Sequence, residues 1–386
     1  MRNRKERGIA LITAIWVMAI LLVLMAGFAA IVHTEIEVSR NFGQLTQARW
    51  AARAAVRRAE VELQQVAAQP YTALDTGRLL IDSVEEETNL GDVTYQVIIE
   101  DEAGKVNINT ASAEMLSMLF PDDGVADCII DWRDEDSEPK VDGAEDDYYM
   151  ELPAPYHCKN SPFTTVNELL LVKGVTREML DTEVTEDGLT LADILTVSSS
   201  DTNIDKDGNE RVNIATANKE TLTEAFTDDL TEEEIDAIIT ARGSSAFKSP
   251  ADLLRVPDLS REKVAQIYDR LTTGTEKTRK GLVNINTAPA ELLALLPGQD
   301  DATAQAIAQY RTNTGSFEDL GQLLNVEQVS DEAFMEAANA LTTRSQVFKV
   351  LATAQYKDGV AHTTTCLLHS ESDGQSTIMR VLYWHE

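Results

Sequence analysis

Basic residues are scarce in this 386-residue chain: 33 Lys and Arg stand against 65 Asp and Glu, for a net charge of −32. So acidic a surface repels phosphate, which excludes non-specific nucleic-acid binding as a main activity. Three cysteines and five histidines, without a Cys-x-x-Cys pair, supply no zinc framework. Gly-x-Ser-x-Gly and His-Glu-x-x-His are also missing, so no familiar hydrolase nucleophile or zinc-protease pair is present. Proline is absent before Pro70, so nothing there forces a helix to stop. Charge is absent from residues 9–32. What remains, 43% apolar and 25% charged positions, suits globular packing.

The uncharged run IALITAIWVMAILLVLMAGFAAIV is long enough to span a bilayer as a helix, which needs about 20 residues. Arg2, Arg4, Lys5 and Arg7 precede it and Glu6 is their one acid, so residues 1–8 sum to +3 and the chain from His33 onward to −35. The positive-inside rule keeps the basic end cytoplasmic and sends the acidic bulk across the membrane. A secretory signal cut among Ala26, Gly27, Ala29 and Ala30 is the competing reading. Against it, Ala-rich, well-charged helical sequence continues through residues 44–68, predicting one helix of roughly 55–60 residues. Arg7-Gly8-Ile9 resembles the processing site of type IV pilin-like proteins. That resemblance implies cleavage between Gly8 and Ile9 by a prepilin peptidase and N-methylation of Ile9; an ordinary signal anchor is the plain alternative. The fifth mature position is then Thr13, where most pilin-like chains carry glutamate. That carboxylate neutralises the buried amine of the preceding subunit, so its loss is expected of a tip subunit, because an unpaired carboxylate among apolar helices is costly.

Three segments share a template, opening with Val106-Asn107-Ile108-Asn109-Thr110-Ala111, Val212-Asn213-Ile214-Ala215-Thr216-Ala217 and Val283-Asn284-Ile285-Asn286-Thr287-Ala288. Each continues into a Leu-bearing helix, then a second helix with Ile129 and Arg133, Ile238 and Arg242, or Ile307 and Arg311. Phe163, Phe247 and Phe317 then lead to a closing Leu and Val. The Asn-Thr pairs are expected N-caps. The template resembles the helix-hairpin-helix module, which elsewhere holds DNA phosphates on backbone amides and lysines. In acidic sequence beyond a membrane it is read as a packed scaffold.

Phe247 follows Arg242 by five positions and Phe317 follows Arg311 by six, but Phe163 follows Arg133 by thirty. The extra stretch, 134–162, holds nine acids against two lysines. Its residues Asp131-Trp132-Arg133-Asp134-Glu135-Asp136-Ser137-Glu138-Pro139, with Gly143-Ala144-Glu145-Asp146-Asp147-Tyr148-Tyr149, resemble the signature of the type II secretion minor pseudopilin K family. Arg7-Gly8-Ile9, Thr13, the Asn-Thr-Ala modules and Leu382-Tyr383-Trp384 agree with that resemblance over essentially the whole chain. It implies an α+β, type IV pilin-like fold, a long N-terminal helix and antiparallel sheet, interrupted by a helical domain of helix-hairpin-helix or SAM-like repeats. It also implies calcium in that domain, a hard cation suited to carboxylates, with Asp131, Asp134, Asp136, Glu138, Glu145, Asp146 and Asp147 as candidate ligands. A second acidic run, residues 201–208, starts like an EF-hand loop, but read from Asn203 it puts Ile214 at position 12 where the bidentate Glu is required, so it reads as a turn. Cys128 and Cys158 flank the insert; their disulfide is expected because it would pin a loop poor in apolar residues, closing about 30 residues for roughly 3 kcal/mol. Cys366 is either free or the alternative partner.

Residues 93–101, 345–356, 360–370 and 376–385 read as strands, the last three separated by turn cues at Asp358-Gly359 and Asp373-Gly374. The expected layout is a leader at 1–8, a transmembrane segment at 9–32, and the soluble helix with the first strand at 33–102. An inserted domain comes next at 103–341, with repeats at 106–180, 212–273 and 283–341, then closing strands at 342–386. The expected function is a non-enzymatic tip subunit of a periplasmic pseudopilus that helps start assembly and protein export, anchored in a bacterial inner membrane with its N-terminus cytoplasmic. Its implied partners are the I- and J-type minor pseudopilins, the prepilin peptidase and the membrane, with no nucleic acid. A competence-type DNA-binding component and a periplasmic metal-dependent hydrolase are the alternatives.

Overall fold

A computed structural model of the chain describes residues 3–73, 87–122, 124–185, 187–357, 359–372 and 377–386. Helix α1 runs Asn3–Ala67 without a break, some residues longer than expected because it already includes the basic segment. Its first half is exposed throughout residues 11–31. Among the described residues nothing covers this half, and it is long and apolar enough to cross a membrane. Further on, Ala48, Ala51, Ala52, Ala55, Ala59, Leu63 and Val66 are buried. They recur every three or four residues and so form one stripe. Its first five members are alanines, whose small side chains let the helix backbone lie close on its neighbour.

That neighbour is an antiparallel sheet of strands β1 (Thr88–Leu90), β2 (Val93–Asp101), β3 (Val347–Tyr356), β4 (Ala361–Ser372) and β5 (Thr377–His385), paired in that order. Burial alternates strictly along β2, so Val93, Tyr95, Val97 and Ile99 face the helix. Phe348, Val350, Cys366 and Leu368 complete the same layer. Ile99 stands opposite Val350, and Val350 opposite Cys366. The cue Asp373-Gly374 and Asp358 itself lie outside the described residues. β2 and β3 are neighbours in space although residues 102–346 separate them in the chain. The helical segment therefore leaves and re-enters the sheet at one place.

Within that segment each module closes on itself through a two-residue parallel ladder: Val106–Asn107 with Leu195–Thr196, Val212–Asn213 with Leu271–Thr272, and Val283–Asn284 with Leu341–Thr342. The arginine of each second helix reaches back to the opening turn. Arg242 donates to the carbonyls of Ile214 and Ala217 at 2.8 Å each, Arg311 to Ile285 and Ala288 at 2.9 and 2.8 Å, and Arg133 to Ile108 and Ala111. The Asn-Thr pairs do not cap the helices. Ser112 and Asn218 do, and Pro289 stands at that position in the third module. The asparagines instead fold the turn: Asn107, Asn213 and Asn284 accept the amide two residues on, at 2.9 to 3.0 Å. Asn109 and Asn286 additionally hold both backbone polar groups of Phe163 and Phe317. The first module ends at Thr196 rather than at 180, because its closing ladder comes after the helix Arg177–Leu180.

Buried carboxylates tie the helical segment to the sheet. Asp101, at the end of β2, accepts from Ala103 N at 2.8 Å, Asn284 Nδ2 at 2.9 Å and Thr287 Oγ1 at 2.7 Å. Asp201 takes Arg279 at 2.6 Å, Arg344 at 3.3 Å and Thr342 Oγ1 at 2.8 Å. Burial alone would raise the Asp201 carboxyl, but Arg344, Arg279 and Arg211 hold it below its usual range.

Candidate metal centre

The second helix of the first module, Val125–Arg133, ends at Asp134, whose extended backbone turns the chain into the acidic insert. Asp131, still on the helix and fully buried, organises the first turns of that insert. Its carboxylate accepts the amides of Lys140 at 3.1 Å and Ala144 at 2.9 Å. The approach is close enough that a Cβ on Gly143 would fall 1.8 Å from Asp131 Oδ2, so only glycine fits there. Asp136 Oδ1 accepts Glu138 N at 2.9 Å, which bends the loop back on itself. Asp146 receives the amide of Cys158 at 2.7 Å and faces His157 Nδ1 at 2.9 Å, closing the far end of the insert. Beneath it, Trp132 meets Tyr149 edge to face at 5.2 Å and stacks on Phe163.

These restraints bring Asp134, Asp136 and Glu145 together, with one carboxylate oxygen from each lying within 4.8 Å of the others. Both oxygens of Glu145 and Oδ1 of Asp134 are buried without a well-formed hydrogen bond, although the Cys158 thiol and the Asn160 side chain lie close enough to Glu145 to favour its charged form. Asn160, held in the left-handed region at φ 45°, donates to the carbonyl of Asp136 at 2.5 Å and leaves its own buried Oδ1 without a partner. No Lys or Arg forms an ion pair with the three among the described contacts: Lys159 pairs with Glu168 at 2.6 Å and Arg133 donates to backbone carbonyls, while Lys140 and Arg133 favour the charged Asp134 only at longer range. Burial, then the charge of Asp136, pushes the Asp134 carboxyl up. Burial foremost, with the charges of Asp131 and Asp134 behind it, does the same to Glu145. Three carboxylates converging, Glu145 buried, Asp134 half-buried and Asp136 exposed, repel one another, and a cation between them would relieve that repulsion. The spacing suits calcium, whose oxygen ligands at 2.3–2.6 Å can stand up to about 5 Å apart across the ion. The donor set fits the ion.

Of the seven carboxylates expected to ligate, three converge. Asp131 and Asp146 spend their oxygens on backbone amides and His157, while Glu138 and Asp147 are exposed. Asn160 lies beyond the reach of sequence reasoning, because a lone amide 24 residues from Asp136 carries no local pattern; its left-handed backbone is the nearest signal. The expected Cys128–Cys158 disulfide is not formed: all three cysteines are free and buried. The two thiols face different carbonyls, Cys128 that of Asp142 at 3.4 Å and Cys158 that of Asp131 at 3.8 Å. Burial pushes Cys128 up to about 11 and Cys158 to about 12, which disfavours the thiolates needed for exchange. In the EF-hand-like run, Asp205 accepts the amides of Asp207 and Asn209 at 3.0 and 2.7 Å, the turn expected of it. Gly8 and Ile9 lie within the α1 backbone, and Thr13 is on its exposed apolar stretch.

Fold and site together define a class: a long helix, apolar in its first half and amphipathic in its second, on an antiparallel sheet, with a helical segment that carries an acidic loop between two of its strands. The family described as Type II secretion system (T2SS), protein K matches residues 104–182, the module that contains the loop. Helix-hairpin-helix motif matches 279–342, the third module. A protein of Escherichia coli (strain K12), provisionally named as type II secretion system protein K, is 23% identical over 197 residues, covering 46% of this chain and 60% of its own length. Type II secretion system protein K of Dickeya chrysanthemi is 45% identical over 51 residues, 13% of each chain. The chain therefore spans less than two thirds of these relatives' lengths. A solved structure of the GspK-GspI-GspJ complex from the type 2 secretion system of enterotoxigenic Escherichia coli shares the fold, with TM-score 0.54 and 14% identity over 90% of this chain and 98% of that one. Residues 104–182 therefore match the type II secretion system protein K family, and the chain as a whole is similar in fold to that solved complex.

Proposed function

We propose that this chain is a minor pseudopilin with a type IV pilin-like fold, placed at the tip of a type II secretion pseudopilus. The observation that carries the reading is the division of α1. One half is apolar and exposed, the other lies by an alanine stripe on the sheet, and the helical domain is inserted between two adjacent strands. The apolar half anchors the chain in the inner membrane with its N-terminus cytoplasmic, after cleavage between Gly8 and Ile9 and methylation of Ile9. The acidic body then lies in the periplasm. The inserted domain adds bulk on one end of the sheet, which a filament interior accommodates poorly and a tip accommodates easily; Thr13 fits the same place.

Its role is structural rather than catalytic: helping assembly begin and so supporting protein export. Partners are the I- and J-type minor pseudopilins, the subunits named in the related complex. Asp134, Asp136 and Glu145, with Asn160 beside them, would hold a calcium ion, which neutralises their charge and orders the loop. DNA binding is disfavoured by the module turns themselves. At the start of the third module's long helix, Asp300 already accepts the Thr303 amide at 2.8 Å. In the second module, Glu234 and Thr231 form a capping box. A phosphate would meet acids where it needs free amides. The test is to mix the soluble body, from His33 onward, with the two smaller minor pseudopilins and weigh the product by light scattering. A one-to-one-to-one complex is expected; a homopolymer of this chain would overturn the tip assignment.

A further inference from the structure

Strand β5 pairs with β4 on one side and ends the sheet on the other. Along that outer side its backbone N–H and C=O groups meet no backbone partner among the described residues. Protein sheets keep such edges short or guard them with Lys or Pro. The opposite edge strand, β1, has three residues; β5 has nine, with neither Lys nor Pro. Ile378, Val381, Leu382 and Tyr383, all on β5, are 38 to 53% exposed. Leu368 stands opposite Val381 and Leu367 opposite Tyr383, so Leu382 is a bulge residue without a partner across the ladder. Residues Thr377–Val381 are left as the regular stretch of the edge. The surface continues onto α1 at its far end. Arg53 lies over the exposed Trp50 ring at 5.0 Å and pairs with Glu386, which accepts from Trp384 Nε1 at 3.0 Å. Charge along this edge is cancelled in pairs, Arg380 with Glu371 at 3.3 Å and Glu386 with Arg49 and Arg53, in a chain whose net charge is −32.

We propose that Thr377–Val381 takes an extended, uncharged segment of a neighbouring subunit as an added strand. An open row of alternating donors and acceptors is matched by an extended backbone; a helix, whose own groups are bonded internally, does not match it. The paired charges leave no field that would select a charged segment, and exposed apolar side chains on the strand reward an apolar one. A second protein with such a segment can approach here without meeting the acidity of the rest of the body. The proposal rests on the pseudopilus reading only for the identity of the neighbour, a subunit of the same filament.

The experiment uses the full chain in its native membrane with its own secretion machinery. The photo-reactive p-benzoylphenylalanine replaces Ile378, Arg380 and Leu382 one at a time, and Leu90 on β1, 53% exposed, carries the same probe as a control. Crosslinked peptides are mapped by mass spectrometry. The three positions on β5 should reach one segment of one other protein in sequential order, about one partner residue for each residue of β5, which is the spacing of paired strands. Ile378→Lys with Leu382→Lys, both at exposed positions, should lower the yield from position 380 roughly tenfold and leave position 90 unchanged. Targets three or four residues apart, as on a helix, would overturn the proposal, as would crosslinks to lipid or to this chain itself, no crosslink, or a yield unaffected by the two lysines. The two readings fail separately. A one-to-one-to-one complex that forms without these crosslinks keeps the tip assignment and rejects the added strand. Ordered crosslinks to a protein outside that complex keep the pairing edge and reject the filament subunit as its occupant.

Discussion

Glu145 is the side chain on which the proposed calcium site is most directly tested. Both of its oxygens are buried beside two other carboxylates, with the Cys158 thiol and the Asn160 side chain as neighbours, so in metal-free protein its charge works against folding, whereas under the proposed calcium binding the same charge would hold the ion. The neutral isostere Glu145→Gln should therefore change sign with conditions. In chelator it raises the Tm of the soluble body; in calcium it lowers it, because the rise conferred by a ligand that binds only the native state disappears. Scanning calorimetry of both proteins in both buffers checks this, and a substitution that is neutral in both buffers would return the acids to a solvated loop. Asp134→Ala with Asp136→Ala should likewise abolish the calcium-dependent rise, with no metal left in elemental analysis.

At the scale of elements, the arginine clamp defines the module. Each arginine spans two carbonyls of the opening turn, and among the described residues no other donor is shown at those two sites in the third module. Arg311→Ala should destabilise the soluble body by roughly 2–3 kcal/mol, the usual cost of removing a charged donor from buried acceptors, as read from chemical denaturation. Arg311→Lys should recover only part, since a point ammonium does not reproduce the guanidinium fork. The long helix carries its own prediction. If it is cut between Gly8 and Ile9, the mature chain begins at Ile9 by N-terminal sequencing, and Gly8→Ala leaves the precursor uncut; a terminus near Ala30 would favour a secretory signal.

For the whole molecule, the helix and the last strand are joined at Glu386, which pairs with Arg49 and Arg53 on α1 and accepts from Trp384 Nε1 at 3.0 Å. Arg53 foremost, with Trp384 and Arg49, holds the Glu386 carboxyl at about 2. A carboxyl depressed in the folded state stabilises above its unfolded value, near 4.3, and that contribution is lost as pH falls toward about 2. Glu386→Gln should therefore flatten the acid limb of a Tm-against-pH curve between about 4.5 and 2 and leave the neutral region lower but parallel. An acid limb of unchanged slope would assign the titration to other groups.

Much of this organisation was legible in the sequence because it is periodic or compositional. An uncharged run, a proline-free stretch with alanines every third or fourth position, and alternation along residues 93–101 each constrain one element by local geometry alone. The thrice-repeated Asn-x-x-Thr-Ala opening and its arginine predicted three modules on one template, although the Leu-Thr pairs that close them, at 195, 271 and 341, are too short to stand out. Tertiary structure alone decided which acids share a site. Asp131 and the nine carboxylates of the insert that follows look alike in sequence, and the folded backbone divided them by which it could supply with amides. Asp131 and Asp146 were given N–H donors and became struts; Asp134, Asp136 and Glu145 converged instead and became the cluster. The cysteines were divided in the same way, since burial turned their sulfurs to separate carbonyls that no spacing along the chain specifies.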